Sequence, residues 1–199
     1  MKFKIILLLC VAALTGNVAS AQLPYAQYIR KYQQDYVSNH EVVKKTDKKF
    51  FRFFAPSADH KVAAGFTKLE DSTGFMMPTS GKSPKRYFRY GRVQFSLNGK
   101  SLKLTVFRSK DLMNDPTYKD YLFLPFTDLT SGEESYGGGR YIDLEIKDIK
   151  NNRLVIDFNK AYNPYCAYSE EYNCPVPPRE NDLPVAIRAG EKDFKRSRR

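Results

Sequence analysis

Hydrophobic and polar residues alternate in short runs along the middle of the chain, which is the pattern of half-buried β-strands. The clearest runs flank Asn98 and Gly99, with apolar residues at Val93, Phe95, Leu97, Leu102, Leu104 and Val106. Asn-Gly between two such runs predicts a two-residue hairpin turn, because both residues tolerate a positive φ. That turn pairs Phe95 with Leu102 and Val93 with Leu104 on one apolar face.

The same alternation predicts further strands at residues 60–69, 121–126, 141–149, 153–160 and 183–188. The sequence Lys150-Asn151-Asn152 lies between the third and fourth of these and predicts a second hairpin. A three-residue loop there keeps Ile146 and Ile156 on one apolar face, and it places Glu145 opposite Asp157 on the other. Two carboxylates in contact destabilise a sheet unless an arginine, a cation or a shared proton compensates them.

The periodicity is different near the N-terminus, where apolar and aromatic residues recur three and four positions apart. They are Tyr25, Tyr28, Ile29, Tyr32 and Tyr36. This spacing predicts an amphipathic helix over residues 23–43, and we expect its tyrosine stripe to pack on the sheet rather than to form a ligand platform. The predicted fold class is therefore mainly β: a curled antiparallel sheet, barrel-like or a sandwich, with one N-terminal amphipathic helix.

The first 21 residues have the features of a signal peptide. Lys2 and Lys4 precede an apolar run at residues 5–14, and Ala19-Ser20-Ala21 is a small-residue cleavage site. We therefore expect an exported protein, periplasmic or secreted, with one domain at residues 22–191 and a disordered basic tail at residues 192–199. The apolar run is too short to span a bilayer, which takes about 20 residues, and no later segment approaches that length.

Charge and metal-binding residue types exclude several classes of function. Loss of Lys2 and Lys4 with the leader lowers the formal net charge from +11 to +9, and much of the excess lies in the tail. An exported, mildly basic domain does not indicate a nucleic-acid partner. His40 and His60 lie in unrelated segments without ligand spacing, so no metal site and no cofactor is predicted. The sequence leaves the oligomeric state open.

Four blocks of unusual composition occupy the second half of the chain. They are FTDLTSGEESYGGGRYIDL (126–144), DFNKAYNPYCAY (157–168), NCPVPPREN (173–181) and IRAGEKDF (187–194). In this order they resemble DUF1684, a bacterial and archaeal family of unknown function, and a looser resemblance extends over residues 51–107. The family assigns no role to any matching residue, so the resemblance indicates where a site lies without naming its chemistry.

The blocks supply candidate ligand-binding residues. Three glycines precede Arg140, whose guanidinium could hold a carboxylate or phosphate; the alternative is a tight loop with Arg140 in a structural ion pair. The candidate ligand-binding residues are Arg140, Asn159, Tyr162, Asn163 and Asn181. The favoured function is non-catalytic binding of a small polar or anionic ligand.

The alternative function is an enzyme. Asp157 with Glu180 or Glu191 would serve as general acid and base, and Arg140 would hold the substrate. No nucleophile, metal set or cofactor loop accompanies these carboxylates, which is why binding is favoured.

Cys166 and Cys174 are an even pair of cysteines in one segment of an exported chain. Such a pair predicts a disulfide. The resemblance works against this prediction, because relatives without a leader would keep both cysteines reduced.

Overall fold

The structure is a computed structural model that describes the backbone of residues 9–195 and the side chains of residues 24–195. The predicted signal peptide has no described side chains, and residues 1–8 and 196–199 lie outside the described chain. The start of the predicted disordered tail is nevertheless packed on the domain. The Lys192 amide donates to the Arg52 carbonyl, and the Phe194 ring lies 5.3 Å from that of Phe51. The prediction that the tail is disordered from residue 192 is therefore wrong for residues 192–194.

One curled antiparallel sheet, a half-barrel, dominates the described chain. Its strands are β1 Lys61–Lys68, β2 Phe75–Met77, β3 Lys85–Leu97, β4 Lys100–Ser109, β5 Tyr121–Phe126, β6 Arg140–Glu145 and β7 Arg153–Asp157. Their order is β6-β5-β4-β3-β1-β7, and β2 pairs separately with β3. Helix α1 spans Leu9–Asn39, and the short helix α2 spans Lys110–Met113. The predicted fold class, a mainly β protein with an N-terminal helix, is confirmed.

The hairpin predicted at Asn98-Gly99 is confirmed in both turn and register. Asn98 has a φ of 50° and Gly99 a φ of 73°. Phe95 pairs with Leu102, and Val93 pairs with Leu104. All four paired side chains are buried in the main core.

The second predicted hairpin is wrong, because β6 and β7 belong to opposite ends of the sheet. β6 pairs with β5, which places Glu145 opposite Tyr121. β7 pairs with β1, which places Asp157 opposite Lys61. The predicted contact between the carboxylates of Glu145 and Asp157 therefore does not form, and no compensating group is needed.

A helical turn redirects the chain between these two strands. A short 3-10 helix, Ile146–Asp148, follows β6, and a reciprocal capping box between Glu145 and Asp148 fixes its start. The positive φ of Asn151 and Asn152 then makes a tight turn that joins Lys150 to Arg153. The asparagine turn was correctly predicted as a turn, but the preceding 3-10 helix ends β6 first.

The last predicted strand, residues 183–188, is an irregular segment. Its alternation is correct, since Leu183, Val185 and Ile187 are buried in the core. However, the Leu183 amide donates to Thr127, and the carbonyl of Ile187 accepts from Arg140 instead of from a neighbouring strand. Pro184 has no N–H to donate, so a continuous ladder is not possible here.

Helix α1 packs against the end of the half-barrel. Ile29 is fully buried, and Tyr25 donates a hydrogen bond to Asp157 at the end of β7. Tyr28, in contrast, is 53% exposed. The predicted stripe of tyrosines thus packs on the domain in part, and the last turns of the helix form one wall of a cavity.

Candidate ligand-binding site

A cavity of about 860 Å³ lies between the C-terminal end of α1, the outer face of β6 and the segment around residues 162–175. Seven tyrosines line it: Tyr32, Tyr36, Tyr118, Tyr141, Tyr162, Tyr165 and Tyr172. We call it the tyrosine cavity. Its volume lies in the range of small-molecule sites, which is roughly 300–1,000 Å³.

Asp143 provides a carboxylate inside the tyrosine cavity. Ile142 and Leu144 face the core, so the alternation of β6 turns Asp143 outward. The hydroxyls of Tyr121 and Tyr162 donate to its Oδ1 atom at 2.7 Å and 2.6 Å. No described residue donates to Oδ2, which leaves that oxygen available for a ligand.

The surroundings of Asp143 change its proton affinity. Its side chain is exposed to the cavity, but the protein atoms packed around the carboxyl group partly desolvate it, and this raises its pKa. The two tyrosine hydroxyls act in the opposite direction, because hydrogen bonds stabilise the ionised form. A partly desolvated carboxylate of this kind interacts strongly with a charge brought close to it.

The charged groups around the cavity are mainly acidic. Asp35, Glu41 and Asp143 line it, and Lys85 is the one lysine among its described lining residues. His40 also lines it, but desolvation and the nearby Lys48 lower its pKa to about 4, so that it is neutral at pH 7. The cavity is therefore acidic, although the whole chain carries a formal net charge of +11.

The aromatic rings of the cavity pack against one another in two groups. Tyr162 lies edge-on to Tyr141 with ring centroids 5.9 Å apart, and it lies 6.1 Å from Tyr36. At the opening, Tyr165 and Tyr172 form a second edge-to-face pair at 5.1 Å. Tyr165 and Tyr172 are 40% and 38% exposed, so a ligand can reach their rings from solvent.

Arg140 does not reach this cavity. Its side chain is fully buried and forms an ion pair with Asp128, with the nitrogen and oxygen 2.7 Å apart. Its remaining hydrogen bonds go to Thr130 and to the carbonyls of Ile187, Ala189 and Glu191. The predicted role of Arg140 as an anion ligand is therefore not supported, and the alternative of a structural ion pair is what the structure contains.

Asp157 and Asn159 fasten helix α1 to the sheet. Oδ1 of Asp157 accepts from the Tyr25 hydroxyl at 2.8 Å and from both nitrogens of Asn159. Asn159 also bonds to both backbone groups of Ser57. Neither residue lines the tyrosine cavity, and both have structural partners.

Glu180 and Asn181 have structural partners as well. Glu180 accepts from Arg89 at 2.9 Å and from Thr105 at 2.7 Å. Asn181 is fully buried, and its amide bonds to the backbone of Thr105 in β4 and Pro125 in β5. β4 and β5 are antiparallel, with Phe107 opposite Phe123. Extending this register by two residues places Thr105 opposite Pro125. Since Pro125 lacks an N–H, the amide of Asn181 supplies the missing donor between the strands.

Glu191 is buried behind the wall of the cavity. Its Oε2 accepts from the Asn163 amide at 2.9 Å, and the Tyr168 hydroxyl donates to both carboxylate oxygens. The side chain of Asn163 donates to the Lys192 carbonyl. Asp157, Glu180 and Glu191 thus have three separate sets of partners, and none of them lines the tyrosine cavity. The acid–base pair predicted for an enzyme does not form among them.

Burial makes Glu191 a source of pH-dependent stability. Desolvation raises its pKa to about 7, against 4.5 for the ordinary side chain. Between these values the folded protein keeps the proton and the unfolded chain releases it, so stability is lost as the pH rises. We expect the free energy of unfolding of the wild type to fall by about 3 kcal/mol between pH 4.5 and pH 7.5, relative to Glu191→Gln.

Chemical denaturation of both proteins across this pH range tests the expectation. The glutamine side chain does not titrate, and every other group, including His40, is common to the two proteins. A difference in stability that stays constant from pH 4.5 to pH 7.5 would show that folding does not raise the pKa of Glu191.

Cys166 and Cys174 are free thiols in the structure. The Cys166 amide donates to the Cys174 sulfur at 3.2 Å, and a hydrogen bond from the Cys174 thiol lowers the pKa of Cys166 to about 6. The hydroxyl of Tyr136 lies 3.8 Å from the Cys166 sulfur. The predicted disulfide is not supported, because the two thiols are in hydrogen-bond contact without a covalent bond.

Sequence reasoning found one residue of this site and missed the main ones. Tyr162 was predicted and lines the cavity. Asp143 was missed, because Tyr121 and Tyr162 lie 22 and 19 residues from it along the chain. The available signal was compositional: the chain has 14 tyrosines and no tryptophan. Asp143 also lies within the first of the four family-like blocks.

The fold and the site together define a small half-barrel domain with one N-terminal helix and a ligand-sized, tyrosine-lined cavity. The family model described as "Protein of unknown function (DUF1684)" matches residues 49–192. The chain belongs to this family. No curated protein matches the chain.

A solved structure has a similar fold. It is the solution NMR structure of an uncharacterised protein of Haloarcula marismortui, which is 29% identical to this chain. The match covers 92% of this chain and 95% of the archaeal protein, with a TM-score of 0.61.

Two features of the described residues bear on membranes and metal ions. No helix in this part of the chain is long and apolar enough to cross a membrane. No group of three or more His, Cys, Asp or Glu side chains within residues 24–195 is placed to hold a metal ion.

Proposed function

We propose that the protein is a non-catalytic binding domain for a small ligand, and that the tyrosine cavity is its binding site. The observation that carries this proposal is a cavity with aromatic walls and a carboxylate, Asp143, held in place by two tyrosine hydroxyls. Apolar walls with a few fixed polar groups are typical of small-molecule sites. The carboxylates considered for an enzyme have structural partners elsewhere, which favours binding over catalysis.

The site favours a different ligand charge from the one that the sequence indicated. An anion was expected because Arg140 was the candidate ligand residue. Arg140 is buried in an ion pair, and three carboxylates line the tyrosine cavity against one lysine. The proposed site therefore disfavours an anion.

A fragment screen by ligand-observed NMR tests the proposal, with neutral, cationic and anionic members in the library. We expect some fragments to bind the wild type and to lose about three-fold or more in affinity in Tyr172→Ala, because a stacked ring contributes to binding beyond its area. The matched control is Tyr28→Ala, which removes an exposed tyrosine outside the cavity.

Two results would reject the cavity as the binding site. One is a complete absence of fragment binding to the wild type. The other is a set of bound fragments whose affinities are the same in the wild type and in Tyr172→Ala.

A further inference from the structure

We propose that the tyrosine cavity binds a small organic cation with an alkylated ammonium group, held among the tyrosine rings and paired with the carboxylate of Asp143. This inference rests on the proposed function, because it assigns a ligand class to the same cavity. Three features of the cavity lead to it: its charge, its aromatic surface and the state of the Asp143 oxygens.

The charge of the cavity is opposite to that of the protein. The chain has 33 lysines and arginines against 22 aspartates and glutamates. The lining side chains nevertheless include the carboxylates of Asp35, Glu41 and Asp143 and one lysine, Lys85. Lys31, outside the lining, pairs with Asp35 at 2.9 Å, so Glu41 and Asp143 supply the unpaired negative charge. In a basic chain, a concave surface with an excess of carboxylates attracts cations and repels anions.

The aromatic surface fits a cation better than a neutral ligand. Cations are attracted to the faces of aromatic rings by the ring quadrupole, and tyrosine is one of the effective residues. Tyr36, Tyr141 and Tyr162 form one continuous group of rings, and Tyr165 with Tyr172 forms another at the opening. Groups of aromatic rings are the arrangement by which proteins recognise quaternary ammonium ligands.

The hydrogen bonds of Asp143 favour an alkylated ammonium group over a primary one. A primary ammonium group has three N–H donors to satisfy. Oδ1 of Asp143 already accepts from Tyr121 and Tyr162, so Oδ2 is its one oxygen without a donor. The alkylated groups meant here are tertiary and quaternary ammonium groups, which have one N–H or none. Such a group can contact the rings through its methyl groups while remaining close to Oδ2.

A metal ion fits the same cavity poorly. Hard cations such as Ca²⁺ take six to eight oxygen ligands, and Mg²⁺ requires octahedral coordination. Among the described residues, no three acidic, histidine or cysteine side chains converge on a common point. The cavity supplies aromatic side chains instead, which suit a large and weakly hydrated cation.

Isothermal titration calorimetry on the protein tests the inference, with tetramethylammonium, choline and benzyltrimethylammonium as probes. The matched neutral probe is 3,3-dimethylbutan-1-ol, which has the shape of choline without its charge. We expect at least one cationic probe to bind, and we expect choline to bind about ten-fold or more tightly than the neutral alcohol. Asp143→Asn should remove most of this preference.

Two variants distinguish the effect of the Asp143 charge on binding from an effect on folding. Asp143→Asn retains an oxygen that can accept from Tyr121 and Tyr162, so we expect its melting temperature to stay close to that of the wild type. Asp111→Asn removes an equal charge from an exposed position outside the cavity and should leave binding unchanged.

Three results would overturn the assignment of a cation. They are the absence of binding by all three cations, equal binding of choline and its neutral isostere, and cation binding that Asp143→Asn leaves intact. If neutral fragments still bind in a way that depends on Tyr172, the proposed function stands and the ligand class alone is wrong. If no fragment binds, both are wrong.

Discussion

Replacing Arg140 with methionine should lower the free energy of unfolding by about 3–5 kcal/mol, which is the usual cost of removing one partner from a buried ion pair. The Asp128 carboxylate would remain fully buried without its 2.7 Å partner. Three buried carbonyls, those of Ile187, Ala189 and Glu191, would also lose their donor. Methionine is nearly as long as the stem of arginine, so the loss comes mainly from these polar groups rather than from a large cavity.

Chemical denaturation of Arg140→Met and Arg188→Met measures this effect against a matched control. Arg188 forms an ion pair with Glu134, but its side chain is 63% exposed, so its replacement should cost less than about 1 kcal/mol. Failure of Arg140→Met to show a cooperative unfolding transition would also support the prediction. A stability within about 1 kcal/mol of the wild type would show that the guanidinium is not a structural element.

The substitution Gly190→Ala should destabilise the protein by about 2–4 kcal/mol, the sum of a left-handed backbone and an overpacked contact. Gly190 has a φ of +75°, and an added Cβ would lie 2.5 Å from the Ala161 carbonyl oxygen and 2.7 Å from that of Phe158. Backbone atoms cannot move aside as a flexible side chain can. The substitution would therefore displace the segment that holds Glu191 beneath the cavity.

Gly99→Ala is the control that separates the steric contact at Gly190 from the strain of a left-handed backbone. Gly99 has a similar φ of +73°, but nothing lies within 4 Å of an added Cβ. Its replacement should cost only the backbone strain, about 1–2 kcal/mol. Equal melting temperatures for the two variants would mean that the close approach at Gly190 does not restrict the chain.

The alternation of apolar and polar residues predicted the fold well wherever the paired strands are close in sequence. The hairpin at Asn98-Gly99 was predicted with its register, because its turn and both strands lie within one short segment. The pairing of β6 with β7 was wrong, since alternation shows which face of a strand is buried and not which strand it joins. The 3-10 helix at Ile146–Asp148 lies between β6 and the asparagine turn, and it therefore prevents the two strands from forming a hairpin.

The candidate site was harder to predict for a related reason. Arg140, Asp157 and Asn181 were selected as polar residues in distinctive blocks, and each proved to have buried structural partners. The blocks are distinctive in composition because their polar residues join distant segments of the chain. Asp143 looked like an ordinary outward-facing residue, and its setting exists only after α1 and the segment around Tyr162 have packed over it.

The amide of Asn181 has a consequence for the order in which the chain can fold. β4 and β5 are completed by a side chain that lies 76 residues beyond Thr105. This donor is absent until residue 181 has been synthesised, and contacts of such large sequence separation slow folding. A chain that is still emerging from the ribosome would therefore have β4 and β5 in place before the side chain that joins them.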